Sequence, residues 1–332
     1  MKTFNKAEYE RISILDKQKY IKLIKDKFER ALAEKLSLIR VTAPLIVTRE
    51  SGLQDDLSGV ERKVAFDLGK NGKTVEIVQS LAKWKRYALG RYNIPVGSGI
   101  YTDMTAIRRD DKMDETHSVY VDQWDWEKPI ERKDRTTEYL KDTVKKIVAA
   151  IADTAEYVSE NGFKAQKIER EPCFITAQDL EDEYPDKTPK EREYLIAKEK
   201  RTVFIIGIGG DLKSGAPHDL RAPDYDDWSL NGDLLVFSDV LSDALEISSM
   251  GIRVDEKSLM SQLEKSGHTE RLAYDFHRSV LKGELPLSIG GGIGQSRLCQ
   301  LILKRAHIGE VQSSYWDEEN LSYAEKNGIE LL

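Results

Sequence analysis

Cysteine is nearly absent from this chain of 332 residues, with Cys173 and Cys299 the only two. They form no C-x-x-C pair, and neither stands at metal-ligand spacing to any of the five histidines. That excludes a disulfide framework and a zinc ribbon and predicts a reducing, cytoplasmic compartment. Long apolar runs are missing too: none approaches 18 residues, and the opening MKTFNKAEYERISILDKQKY has no apolar core of a signal peptide. The expectation is a protein that neither spans a membrane nor is exported by such a peptide. Nor is there an excess of positive charge. Lys and Arg number 51 against 58 Asp and Glu, a net charge of -7, which argues against a general binder of nucleic-acid backbone. What the chain does hold is 40% hydrophobic residues, enough for a large core in one α+β domain or two smaller ones.

Glycine is concentrated in one place. In Leu285–Leu298, LPLSIGGGIGQSRL, Gly290, Gly292, Gly294 and Arg297 form a G-x-G-x-G-x-x-R spacing. Glycines let backbone approach a ligand, and a helix opening at Gln295 would aim its first N–H groups at an anion. A guanidinium on the first turn of that helix can stack on a base or hold a phosphate. The dinucleotide-binding fingerprint fails here, because Arg297 stands where its third glycine belongs. Val203–Gly210, VFIIGIGG, reads as a core strand with a tight exit, since Pro217 and Pro223 follow too soon for a helix. Gly72-Lys73-Thr74 does not complete a P-loop, because the first glycine would fall on Asp67.

Taken in order, apolar Tyr20, Ile24, Phe28, Ala31 and Leu32 predict a helix over Asp16–Leu36 with Asp16 as N-cap. Ile39–Thr48 reads as a strand whose Pro44 belongs on an edge or interface. Ser51–Gly59 reads as a polar loop in which Asp55 and Asp56 are solvated turn residues. After a short strand at Val75–Val78 come Ser80 and the cations Lys83, Lys85 and Arg86, either a solvated helix face or a site for an anion. Ile100–Arg109 is a strand running into Arg108 and Arg109, and a charged hairpin loop separates it from the alternating strand His117–Trp126. There Tyr120, Asp122, Trp124 and Trp126 share one face, and Val121, Gln123 and Asp125 the other, a half-exposed sheet or the wall of a site.

Leu140–Val158 is a helix covering the sheet, and Thr188, Pro189 and Glu191 cap another that runs to about Lys200. Asp224, Asp226, Asp227 and Asp233 crowd the entrance of a strand, where they repel unless a cation or an ammonium group is present, or form a hydrated loop. Ala244–Val254 alternates with Glu246, Ser248 and Met250 on one side. Asp233 and Glu246 on adjacent strands would supply the hard oxygens magnesium prefers. Helices near Glu256–Lys265 and Glu270–Leu281 complete the path to the glycine stretch.

The order of these parts resembles the three motifs of class II aminoacyl-tRNA synthetases, with Pro44 matching the first, Arg108 the second and Arg297 the third. The strings QDDLSG, SLAKWKR, HSVYVDQWDWE, RAPDYDDW, LNGD, SSMGIRVD and IGGGIGQSRL resemble one relative of that fold, the ammonia-dependent asparagine synthetases, over essentially the whole chain. One departure is that Leu230 follows Ser229 directly, where some members of the family carry a longer loop. The resemblance implies one catalytic domain over 1–332, α+β, with a mixed, mainly antiparallel sheet flanked by helices. It implies a cytoplasmic homodimer that takes ATP, L-aspartate, ammonia and Mg2+, with no nucleic acid and no membrane, and makes asparagine through β-aspartyl-AMP.

By the same resemblance Arg108 holds the α-phosphate, Arg297 stacks on adenine beside Gly292 and Gly294, and Asp233 and Glu246 coordinate magnesium while facing the ATP. The amino acid falls to Ser80, Lys85, Gln123, Asp125, Asp226, Ser249 and Arg253. Lys85 or Arg253 can pair with the α-carboxylate, and Asp125 or Asp226 can accept the α-ammonium. Asp55 is the candidate to receive and deprotonate ammonium, and with Arg108 and Gln123 it completes the expected catalytic set. Two other readings share the fold: a tRNA synthetase for aspartate or asparagine, opposed by the lack of a separate anticodon-binding region, and a non-catalytic amino-acid or nucleotide sensor. Glutamine as nitrogen donor is disfavoured, because position 2 is Lys2 and neither cysteine lies where an N-terminal nucleophile belongs.

Overall fold

The computed structural model describes residues 1–55, 57, 61–69 and 72–332. The elements in order are α1 (Ile14–Leu36), β1 (Leu38–Arg40), β2 (Ile46–Val47), β3 (Ala65–Leu68), β4 (Lys73–Ile77), α2 (Ala82–Arg91), β5 (Gly99–Ile107) and β6 (Tyr120–Pro129). They continue with α3 (Thr137–Glu160), β7 (Cys173–Thr176), α4 (Ala177–Glu183), α5 (Pro189–Lys200), β8 (Thr202–Ile206), β9 (Asp226–Ser238) and β10 (Asp243–Arg253). The last are α6 (Glu256–Ser266), α7 (Asp275–Leu281), β11 (Ser288–Gly294), α8 (Gln295–Ile302) and α9 (Glu318–Asn327).

Eight strands form one sheet in the order β1-β5-β6-β11-β10-β9-β8-β7. The two outer pairs, β1 with β5 and β7 with β8, are parallel, and every inner pair is antiparallel. This is the mixed, mainly antiparallel sheet that the sequence predicts. Alternation decides its faces. Trp124 and Trp126 point to one side, where α1, α3 and α8 lay down the main core and Phe28 packs on Trp124 with ring centroids 4.8 Å apart. Gln123 and Asp125 point to the other side, which α2 roofs over β5 and β6 with Trp84, Ala88 and Leu89. This face is therefore not a half-exposed sheet: Gln123 is half-buried, Asp125 is buried, and both line a cleft.

Several expectations need correction. The cap of α1 is Ser13, whose side chain accepts from the Asp16 N–H, so the helix starts earlier than expected. The stretch expected as one strand over Ile39–Thr48 is split. Its first part, β1, pairs with β5, and its second, β2, joins β4 and β3 in a separate three-stranded sheet, with Pro44 in the segment between. The strand entered by the acidic stretch starts earlier than expected: β9 begins at Asp226, so Asp224, Asp226 and Asp227 stand at its entrance and Asp233 lies within its length. That uninterrupted strand also absorbs the direct junction of Ser229 and Leu230. The glycine stretch before the helix at Gln295 is itself the strand β11, at the centre of the sheet. Among the described residues, no helix is long and apolar enough to cross a membrane.

Candidate active site

The floor of the site is made by strand register. On β6, Gln123, Asp125 and Glu127 share one face, and the residues directly opposite them on β11 are Gly294, Gly292 and Gly290. Each polar side chain thus faces a residue with no side chain of its own. A Cβ at Gly292 would run into the Gln123 amide, and one at Gly290 would run into the Glu127 carboxylate. The glycines at 290 and 292 thus clear room for two side chains of the next strand, while Gly292 and Gly294 also line the cleft. The anion expected at the start of α8 is likewise internal, because the Ser296 N–H donates to Asp122 Oδ1 at 3.0 Å and Lys25 donates to the other oxygen at 3.1 Å.

Into this floor α2 inserts cations. Lys83, Lys85 and Arg86 are all buried, so the solvated-face alternative falls. Lys85 Nζ pairs with Asp125 Oδ1 and donates to the Gly291 carbonyl at 2.8 Å. Arg86 donates to the carbonyls of Pro286 and Val254 at 2.9 and 2.7 Å, and burial pushes it down to about 10.

A β-bulge in β10 decides what stands opposite. Glu246 is paired with Leu235 but Ser248 with Leu234, so the alternation flips between them. Met250, expected on the side of Glu246, is therefore in the main core with Ile247 and Ile252, and Ser249 and Arg253 line the cleft with Glu246. Arg253 is 2% exposed and ion-paired to Glu127 and Asp226. The alternatives left open by the sequence thus pair among themselves, Lys85 with Asp125 and Arg253 with Asp226.

Asp55 is not a solvated turn residue. It is 1% exposed, its Oδ1 accepts from the Leu57 N–H at 2.9 Å, and its Oδ2 has no partner among the described residues. Burial pushes its pKa up, Lys83 opposes that shift and Asp224 adds to it. Asp56 lies outside the described residues. Behind Asp55 stands a buried cluster the sequence reading missed: Asp224 accepts from Lys83, Arg271 and His277, each at 2.9 Å. Burial alone would raise the Asp224 pKa, but these partners hold it well below the usual carboxylate range. No spacing in the sequence joins Lys83 to His277, which meet only through the fold. Glu127, also missed, was legible as the next member of the Gln123, Asp125 alternation.

The other end of the cleft is looser. Arg108 is half-buried and held at the Gln79 carbonyl by a single bond of 3.2 Å from Nε. Arg297 is half-buried too, donating to the carbonyls of Glu246 and Thr116 at 3.0 and 3.3 Å. Asp233 and Glu246 do lie on neighbouring strands. Burial raises the Asp233 carboxyl, Arg221 opposes that and the charge of Glu246 adds to it, while Arg297 and Arg221 hold Glu246 low against its own burial. Asp233 is ion-paired to Arg221, and its Oδ1 is buried without a hydrogen bond. Two crowded carboxylates with an orphaned oxygen fit a hard divalent cation, although no group of three or more His, Cys, Asp or Glu suited to a metal occurs among the described residues.

These residues surround one cleft of about 640 Å3. Of the expected site residues, Asp55, Ser80, Lys85, Arg108, Gln123, Asp125, Asp226, Glu246, Ser249, Arg253, Gly292, Gly294 and Arg297 line it, and Asp233 sits behind Arg221. Comparison with known proteins agrees with the geometry: residues 15–328 match the family described as aspartate-ammonia ligase. The chain belongs to the aspartate-ammonia ligase family. It is 56% identical over 314 residues to the aspartate-ammonia ligase of Clostridium tetani, covering 94% of this chain and 92% of that one. It is 54% identical to that of Malacoplasma penetrans, covering 97% and 99%. Among solved structures, asparaginyl-tRNA synthetase of Entamoeba histolytica in complex with asparaginyl-adenylate aligns with a TM-score of 0.63 at 14% identity, over 92% of this chain and 68% of that one. The Pyrococcus horikoshii asparaginyl-tRNA synthetase aligns with 0.62 at 16%, over 90% and 68%. At such identities the likeness is one of fold, the class II synthetase catalytic fold that the three motifs predict.

Proposed function

We propose that this ligase makes L-asparagine from L-aspartate, ammonia and ATP through β-aspartyl-AMP, releasing AMP and pyrophosphate. The observation that carries the reading is one cleft with two chemically different ends. One is lined by buried, paired charges (Lys85 with Asp125, Arg253 with Asp226) that match the ammonium and carboxylate groups of an amino acid. The other presents half-buried arginines, Arg108 and Arg297, that suit phosphates and a base.

In the first step the substrate's β-carboxylate oxygen bonds to the α-phosphorus and the bond to pyrophosphate breaks. Arg108 meets the charge that builds on phosphorus, a fixed cation being worth several kcal/mol in a dry site. Arg297 takes the adenine, with Gly292 and Gly294 beneath. Asp233 and Glu246 would hold Mg2+, which when bound supplies charge neutralisation to the phosphates. In the second step ammonia nitrogen bonds to the acyl carbon and AMP leaves. Asp55 takes the proton from the incoming ammonium, its buried Oδ2 having no hydrogen-bond partner among the described residues. Gln123, half-buried on the floor, orients the acyl group, and Ser80 and Ser249 line the aspartate pocket.

The cleft is floored by one continuous sheet, which supports a single catalytic unit over 1–332. We place the enzyme in the cytoplasm as a homodimer. The exposed Ile39, Leu45 and Ile46 around the β1 edge support pairing with a second copy. Purified protein given aspartate, ATP, magnesium and ammonium chloride should form asparagine and AMP in equal amounts. ADP as the nucleotide product, asparagine formed from glutamine but not ammonium, or aspartyl-tRNA would overturn the reading.

A further inference from the structure

Glu127 is a fully buried carboxylate that the steps above leave unused. It lies behind Arg253, accepting from its Nε at 2.9 Å, from its Nη2 at 2.7 Å, and from Ser288 Oγ at 2.7 Å. Gly290 directly opposite makes the space, for a Cβ there would run into Glu127 Oε2 and come within 2.6 Å of Arg253 Nη2. One strand further, Gly251 is paired with Gly290, and a Cβ on it would lie 2.9 Å from Asp226 Oδ1. The guanidinium therefore lies in a bare lane over two facing glycines, with Glu127 of β6 closing one end and Asp226 of β9 the other. Only Nη1 is left toward Asp226 and the cleft.

An arginine side chain has many rotamers and would otherwise follow whichever carboxylate entered. Two prongs on Glu127 remove that freedom and fix how far the guanidinium reaches. We propose that Glu127, seated over Gly290, is a positioning residue that sets Arg253 as the end wall of the amino-acid pocket, so that the pocket takes a four-carbon dicarboxylate and rejects the five-carbon one. This rests on the reading of Arg253 as a contact of aspartate. Shortening Glu127 by one methylene draws the wall back by the same increment, which is the difference between aspartate and glutamate.

The test is amino-acid-dependent ATP–pyrophosphate exchange in the full-length protein and in Glu127→Gln, Glu127→Asp and Gly290→Ala, with thermal melting alongside. Glu127→Gln and Gly290→Ala should raise KM for aspartate about tenfold or more while KM for ATP stays within about twofold. Glu127→Asp, which keeps the charge and so the fold, should lower the preference for aspartate over glutamate about tenfold or more, the scale of one methylene in a fitted pocket. An unchanged aspartate KM, KM values for both substrates rising together, or an unchanged preference in Glu127→Asp would overturn the proposal. In each of those cases the unsubstituted protein still shows aspartate-dependent exchange. If it shows none, the functional reading itself fails.

Discussion

The two ends of the cleft are built on opposite electrostatic plans. At the end proposed for the amino acid the buried cations other than Arg86 each have a carboxylate: Lys83 with Asp224, Lys85 with Asp125, and Arg253 between Glu127 and Asp226 are all no more than 3% exposed. At the nucleotide end Arg108 and Arg297 are half-buried and tethered to backbone carbonyls, with a carboxylate only at 3.9 Å from Arg297. A buried pair is dear to desolvate and rigid once made, so it selects a small ligand by shape and charge order. An arginine held only by carbonyls keeps its charge available for phosphate.

The comparison breaks most sharply through Arg108. Arg108→Ala should lower aspartate-dependent pyrophosphate exchange by about a thousandfold, as removal of a donor to a developing charge does. Its melting stability should stay within about 0.5 kcal/mol, since little packing is lost. Lys85→Met should do the reverse to stability, costing about 3–5 kcal/mol by leaving Asp125 buried without a countercharge. Equal melting temperatures for the two variants would erase the distinction between the ends.

Much of this contrast was legible in the chain, and the part that was not has physical reasons. Alternation placed Gln123 and Asp125 opposite Trp124 and Trp126, and the Thr188 capping box and the start of α8 at Gln295 are where the local signals put them. Ser249 and Arg253 were reached by resemblance rather than by pattern, because the bulge between Glu246 and Ser248 shifts parity without leaving a mark in residue type. Burial of Lys83, Lys85 and Arg86 was equally hidden. Three cations in four residues read as a wet surface unless their partners are known, and those partners come from β6, the loop before β9 and backbone carbonyls far along the chain. The glycines of β11 mark space for neighbours, which a single strand's sequence cannot express.

A smaller effect separates the two chemical steps. Asp55→Asn should slow amide formation by about a hundredfold, the usual scale for loss of a general base, and leave pyrophosphate exchange near normal. Because burial raises the Asp55 pKa, its charge costs stability above the ordinary carboxylate range, so this variant should not melt lower than the unsubstituted protein. Equal losses in both steps would remove Asp55 from its role.

The smallest effect is on acid stability. Asp224 has its pKa depressed in the fold, so the stability it contributes is present above its unfolded pKa and lost as pH falls through the carboxylate range toward the folded value. Chemical denaturation below about pH 5 should therefore show a steeper loss in the unsubstituted protein than in Asp224→Asn, which is less stable at pH 7 but flatter with pH.

The most direct test of the two-ended cleft is exchange of labelled pyrophosphate into ATP with no ammonium and no tRNA present. The account predicts exchange that requires aspartate, because the adenylate forms before any nitrogen donor is needed. Exchange that proceeds equally without aspartate, or that appears only once ammonium or tRNA is added, would contradict it.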